Sequence, residues 1–192
     1  MGKILGSWSG MRKYLEQEML ADCLRGRIRY HCTTYVGMDG CRIFEVFIDG
    51  VLCKQFSLET VNSYFIRNGY SAPNRSGQAW TGIGEYWDGF QRTLEQYPPG
   101  SRTEYTDVEF CNALEQYRSQ RIGDSLVSED PIVRMFAILD RRIGKRTLTA
   151  IRDSVPHLPR WLQTFYRLRL HGEGLLPPGT EQIVSTQISS DG

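Results

Sequence analysis

The chain of 192 residues carries 23 lysines and arginines against 22 aspartates and glutamates, a formal net charge of +1, with 40% hydrophobic and 23% charged residues. These values are ordinary for a globular protein and exclude wholesale disorder, and the length suits one domain, or one domain with a small helical annex. No apolar run approaches the roughly 20 residues that span a bilayer, and residues 1–10 lack the apolar core of a signal peptide, so a cytosolic protein with no membrane partner is expected.

Met11, Tyr14, Leu15, Met19 and Leu20 recur at the spacing of one helical stripe, which predicts a helix over 11–24 with Ser9 as its N-cap. From Arg27 the period changes to two. Ile28, Tyr30, Cys32, Thr34 and Val36 share one face of a strand, and Arg27, Arg29, His31, Thr33 and Tyr35 share the other. Phe44, Val46 and Ile48 alternate in a second strand, and Asp49-Gly50 supplies the two positive-φ positions of a tight type I′ hairpin before a third strand over 51–56. With Met38-Asp39-Gly40 as a looser first turn, the three strands predict an antiparallel meander whose apolar face a helix covers.

Ser57 is positioned to cap a short helix holding Leu58, Val61, Tyr64 and Phe65, which Gly69 ends in the left-handed conformation. Residues 71–84, rich in Ser, Pro, Asn and Gly, are expected to form a mobile surface loop. Ile83, Trp87, Phe90, Leu94 and Tyr97 then fall at helical spacing until Pro98-Pro99-Gly100 stops the helix. Thr106-Asp107-Val108-Glu109 reads as a capping box opening a helix that runs to about Arg121, with Gly123 as its stop.

Asp130-Pro131 opens the next helix, with Ile132, Phe136, Leu139 and Ile143 as its buried stripe and Gly144 as its break. Leu148, Ile151 and Val155 mark a short successor, and beyond Pro156 and Pro159 a last helix holds Trp161, Leu162, Phe165 and Leu168. Residues 177–192, biased to Pro, Gly, Ser and Thr, are expected to be a disordered tail. The predicted fold class is α+β: an N-terminal helix plus a three-stranded antiparallel meander, followed by a mostly helical C-terminal half. Residues 1–69 would form helix, meander and short helix, 70–84 a loop, and 85–176 a helical region packed on the sheet within one domain overall.

Charge is unevenly placed. Residues 85–130 hold four basic against ten acidic residues, net −6, and residues 131–170 hold nine basic against two acidic, net +7. Either the two stretches pack together and neutralise each other, or the basic one faces an anionic partner. The five cysteines, odd in number and without a CxxC pair, are expected to be free thiols. A zinc site from Cys23, Cys32, Cys41 and His31 would have spacings unlike the usual structural patterns, so no metal and no cofactor is expected.

Several stretches together resemble a family of uncharacterised bacterial proteins: Trp8-Ser9 before the first helix, 27–35 with Asp49-Gly50, Asp130-Pro131-Ile132-Val133-Arg134, the run LDRRIGKRTL at 139–148, and Phe165-Tyr166-Arg167-Leu168-Arg169 with Glu173. The resemblance spans both ends of the folded region but leaves out residues 71–102. It implies a bacterial, intracellular protein and implies no particular activity.

Two binding candidates follow from the residues. The polar strand face carries Arg27, Arg29, His31 and Tyr35, with Glu45 and Phe47 beside them, a surface for an anionic or planar group; alternatively Arg29 pairs with Glu45 and helices cover the rest. The second candidate is the cluster Arg134, Arg141, Arg142, Lys145 and Arg146 around one helix and its end, which holds an anion, meets the acidic helices, or with Asp140 braces the turn at Gly144.

A helix-turn-helix reading around Gly144 fits poorly, since Asp140 falls where a small residue is needed and Lys145 where an apolar one is buried. No HExxH, GxSxG or Walker-type motif selects a catalytic residue, and Gly82-Ile83-Gly84 is a weak phosphate signal. The expectation is a noncatalytic protein that binds a macromolecular partner through the basic segment or the polar sheet face. Nucleic-acid binding by the same basic segment, and an enzyme for a small anionic substrate at Arg27, His31 and Tyr35, are the alternatives.

Overall fold

Three period-two segments pair edge to edge as β1 (Ile28–Thr34), β2 (Arg42–Ile48) and β3 (Val51–Phe56), an antiparallel sheet in that order. The computed structural model describes residues 7–34, 41–70 and 83–176. Ile28 stands opposite Ile48 and Thr34 opposite Arg42, so Ile28, Tyr30, Phe44, Val46, Ile48 and Phe56 gather on one buried face. Asp49 (φ 50°) and Gly50 (φ 86°) form the tight turn, where only two positive-φ residues match the strand twist. Cys53 is an extra residue between the Phe47/Leu52 and Val46/Lys54 pairs, a bulge that rotates Lys54 onto the apolar face.

Ser7, not Ser9, caps α1 (Trp8–Lys13), its hydroxyl accepting from the Gly10 amide at 3.2 Å. The single helix expected over 11–24 is instead three pieces. After α1 the turn widens over Tyr14–Glu18, where the Met19 amide reaches back five residues to the Tyr14 carbonyl, and a 3₁₀ turn follows at Asp22–Leu24. The reason lies in distant partners: Leu20 bridges Asp140 in extended form, and the Glu16 carboxylate accepts the Tyr30 amide at 2.8 Å. That bond covers the outer edge of β1, an edge otherwise open to another strand.

Ser57 caps α2 (Leu58–Arg67), and Gly69 beyond it adopts φ 71°. With α3 (Ile83–Gln96) it forms a small aromatic cluster around Val61, Phe65 and Phe90. Thr106 and Glu109 make the capping box of α4 (Asp107–Ser119), which lies on the apolar face of the sheet: Phe110 stacks on Phe44 at 4.7 Å and lies 4.9 Å from Phe56. The helix stops at Ser119 rather than near Arg121, because Gln120 turns extended and its side-chain amide donates to the Ser125 hydroxyl. Gly123 therefore stops nothing and sits inside α5 (Ile122–Leu126).

Behind α4 lies α6 (Pro131–Leu139), capped by Asp130 and buried at every position but Arg134. It ends at Leu139, short of Gly144, since Asp140 leaves the helix to bridge Leu20 and to accept the Arg142 amide at 2.6 Å. Gly144 is instead the N-cap of α7 (Lys145–Ala150), which leads through a 3₁₀ stretch at Arg152–His157 to α8 (Arg160–Gly172), packed on α6. None of the described helices is long and apolar enough to cross a membrane. Tyr35, Val36, the turn at 38–40, most of the expected loop (71–82) and the expected tail (177–192) lie outside the described residues.

Candidate functional site

The open face of the sheet aligns His31, Glu45 and Gln55 in one row and Arg29, Phe47 and Leu52 in the next. Among the described residues, α4 packs on the other face and the N-terminal segment lies along the β1 edge. Two of the expected cations are already matched. Arg27 makes a two-pronged bond to Asp49 (3.0 and 2.6 Å), which holds that carboxyl below its ordinary pKa. Arg29 leans over the strand edge to Glu16 at 3.4 Å instead of pairing with Glu45, which the register sets opposite His31. The exposed His31 ring rests 4.6 Å from the half-buried ring of Phe47. Tyr35, the fourth residue of this face, falls outside the described residues.

The basic cluster divides into two functional kinds. Arg134 donates to the carbonyls of Ser128 and Val127 (3.2 Å for the latter), closing the turn before α6. Arg142 grips the buried Asp140 carboxylate at 2.9 and 2.6 Å and reaches the Tyr117 hydroxyl at 3.1 Å, while Tyr117 itself donates to Asp140. Burial, and then the neighbouring carboxylate, push the Tyr117 pKa up, so it stays a donor. Arg142 is thus part of a brace, with Asp140 at its centre. Arg141, Lys145 and Arg146 are different: all three are exposed, and their side chains have neither hydrogen bond nor ion pair among the described residues. Arg141 lies beyond the end of α6 at Leu139, so it shares no helix face with Arg134.

The ion pairs of the acidic and basic stretches do not resolve the charge segregation. Lys54–Glu104, Arg102–Glu109, Arg142–Asp140 and Arg169–Glu173 each tie a cation to a carboxylate, and none joins 85–130 to 131–170. The five cysteines are free thiols. No three His, Cys, Asp or Glu side chains among the described residues gather as a metal site, and β1 itself separates His31 on the open face from Cys32 on the other.

A cleft of about 680 Å³ is lined by Pro98, Pro99, Gly100 and Ser101, by Gln116, by Ser128 to Pro131 with Arg134, and by His157 to Pro159. Of the expected site residues only Arg134 borders it; His157 and Glu129 were missed. Only the punctuation by proline at 98, 99, 131 and 159 hints at it in the sequence, and proline spacing does not reveal that turns so far apart will meet.

The fold and these surfaces define an α+β protein built from an antiparallel meander covered on one face by a helical half. The chain belongs to the SF0329 protein family, whose model matches residues 7–170, from α1 to near the end of α8. Neither a curated protein nor a solved structure matches the chain.

Proposed function

We propose that the protein is a noncatalytic binding protein of the bacterial cytosol that engages an anionic macromolecular partner through Arg141, Lys145 and Arg146. One observation carries this reading: within a five-residue basic cluster, Arg134 and Arg142 are committed to internal bonds, whereas these three cations stand exposed with no side-chain hydrogen bond or ion pair among the described residues. Such charges add little to stability and are free to attract an anion. The free thiols accord with a reducing compartment, and the bacterial setting rests on the resemblance of the motifs.

An acidic protein surface suits the geometry better than duplex DNA. The helix α7 has six residues, or about 9 Å of length, which is short for a recognition helix in a major groove. Binding of a labelled polyglutamate peptide and of a short DNA duplex, each at about 50 and about 200 mM salt, separates the two, because phosphate-dominated binding collapses over that range. The peptide should bind, and the triple alanine variant of Arg141, Lys145 and Arg146 should not. If that variant binds the peptide as well as the parent does, the reading fails.

A second reading is favoured by Leu52, 40% exposed beside Phe47 on the open sheet face: a protein partner docks there. Leu52→Glu would then abolish an association that the triple alanine variant retains. The enzyme reading has less support, since Arg27, its proposed anion contact, is already matched by Asp49.

A further inference from the structure

Three turns remote in sequence, 98–101, 128–134 and 157–159, build the cleft together with Gln116 of α4, and each turn is fixed by a side chain bonded to backbone. Arg134 holds the Ser128 carbonyl, and the Ser101 hydroxyl donates to the Pro98 carbonyl at 2.9 Å. The Gln163 amide donates to the carbonyls of Leu158 (2.9 Å) and Pro156 (3.3 Å), and the Asp130 carboxylate accepts the Ile132 amide at 2.8 Å. Pro98, Pro99, Pro131 and Pro159 lock φ along the rims and present apolar rings with no N–H. Walls this constrained lose little freedom when a ligand enters.

Beyond those bonds, His157, Glu129 and Arg134 present ionisable groups on the lining. His157 and Glu129 are exposed and make no side-chain hydrogen bond or ion pair among the described residues. Arg134 uses Nε and one Nη on the carbonyls, which leaves its other Nη. Gly100 lets the 98–101 turn approach the Glu129 backbone closely, since a methyl group there would stand 3.1 Å from the Glu129 carbonyl oxygen.

We propose that this cleft binds a small zwitterionic ligand of the amino-acid or dipeptide class, its carboxylate on Arg134 and His157 and its ammonium on Glu129. A phosphate or other dianion would be repelled by Glu129 and Asp130, and a simple cation by Arg134, whereas a ligand with both signs meets each with its complement. The cleft, about 680 Å³, is larger than a single amino acid needs, so a second residue or a long side chain has room.

The test is calorimetric titration of the full chain with glycylglycine, N-acetylglycylglycine, glycylglycinamide and inorganic phosphate, preceded by a thermal-shift screen of the common amino acids. At least one amino acid or the free dipeptide should bind saturably. Blocking either terminus should weaken binding by about tenfold or more, the value of one charge-assisted hydrogen bond. Glu129→Gln and His157→Gln, both at exposed positions, should each weaken it similarly, while the triple alanine variant of the basic loop should leave it unchanged. The proposal is overturned if no amino acid or dipeptide binds, if blocked dipeptides bind as tightly as the free one, or if phosphate binds more tightly than all of them.

Discussion

The ammonium of Lys54 lies 2.6 Å from a carboxylate oxygen of Glu104, on the face of the sheet that carries the buried Tyr30, Phe44, Val46 and Phe56. The bulge at Cys53 puts it there, and the site is made for it: the Thr103 carbonyl accepts a second bond at 2.7 Å, and the rings of Tyr105 and Trp161 lie 5.4 and 5.7 Å from the nitrogen. With 6% of its side chain exposed, Lys54 has its pKa pulled down by burial, and Glu104 opposes that shift.

Breaking such a pair differs from replacing it. Glu104→Ala leaves a buried ammonium without its counterion and should lower stability by about 2–3 kcal/mol, less than a fully buried pair because Glu104 is partly exposed. Lys54→Met removes the charge and keeps the stem, so its cost should stay within about 1 kcal/mol. Urea unfolding of both variants decides; equal losses would mean that the ion pair has no special role.

Asp140 tests the division within the basic cluster. Its carboxylate takes hydrogen bonds from Tyr117 and from both the amide and the guanidinium of Arg142, and Asp140→Ala should cost about 3–5 kcal/mol. Arg142→Ala should cost about 1 kcal/mol, since that side chain is 55% exposed and water replaces part of what it gives. The triple alanine variant at Arg141, Lys145 and Arg146 should change stability by no more than about 0.5 kcal/mol. A large loss in the triple variant, read by thermal unfolding, would show that those cations serve the fold.

The local parts of this architecture were legible because their causes are local. Alternation at Phe44, Val46 and Ile48, the Asp49-Gly50 turn, the Ser57 cap and the Thr106/Glu109 box each depend on neighbours within a few residues. What escaped the sequence depends on contacts between distant residues. The widened turn at 14–18 follows from Glu16 reaching Tyr30, and the early end of α6 follows from Asp140 meeting Leu20 and Tyr117. The same holds for the sites. The cations near Gly144 were visible, but which of them bind internally depends on where Tyr117 and Ser128 come to lie. The cleft needs three separate turns and a helix face to meet, which no single stretch encodes.

Glu109 has two tasks that can be separated. It completes the capping box by accepting the Thr106 amide at 2.8 Å, and it neutralises Arg102, whose side chain is fully buried and also donates to the carbonyls of Tyr97 (2.6 Å) and Glu104 (2.8 Å). Thr106→Ala loses only the cap and should cost about 1–2 kcal/mol. Glu109→Ala also strands a buried guanidinium and should cost about 3–5 kcal/mol. Chemical denaturation of the two should therefore show a clear gap; similar values would assign the whole effect of Glu109 to the helix end.

The thiols give the fold a signature in alkali. Burial pushes Cys53 from its ordinary 9.0 up to about 12, and Cys111 up to about 11. Above pH 9 the unfolded thiols ionise while the folded ones keep their protons, so this contribution is whole below 9 and declines as pH rises toward the folded values. The limit is about 1.4 kcal/mol per pH unit for each thiol. Lys54 acts in the opposite direction. Its folded pKa lies below the ordinary 10.5, so the folded state loses that proton first and stability rises with pH up to about that value. Lys54→Met removes the rise and should make the decline between pH 9 and 10 steeper than in the parent. Adding Cys53→Ala to that background should flatten it again, as followed by urea midpoints at the two pH values. An unchanged slope would mean that Cys53 ionises as freely in the folded chain as in the unfolded one.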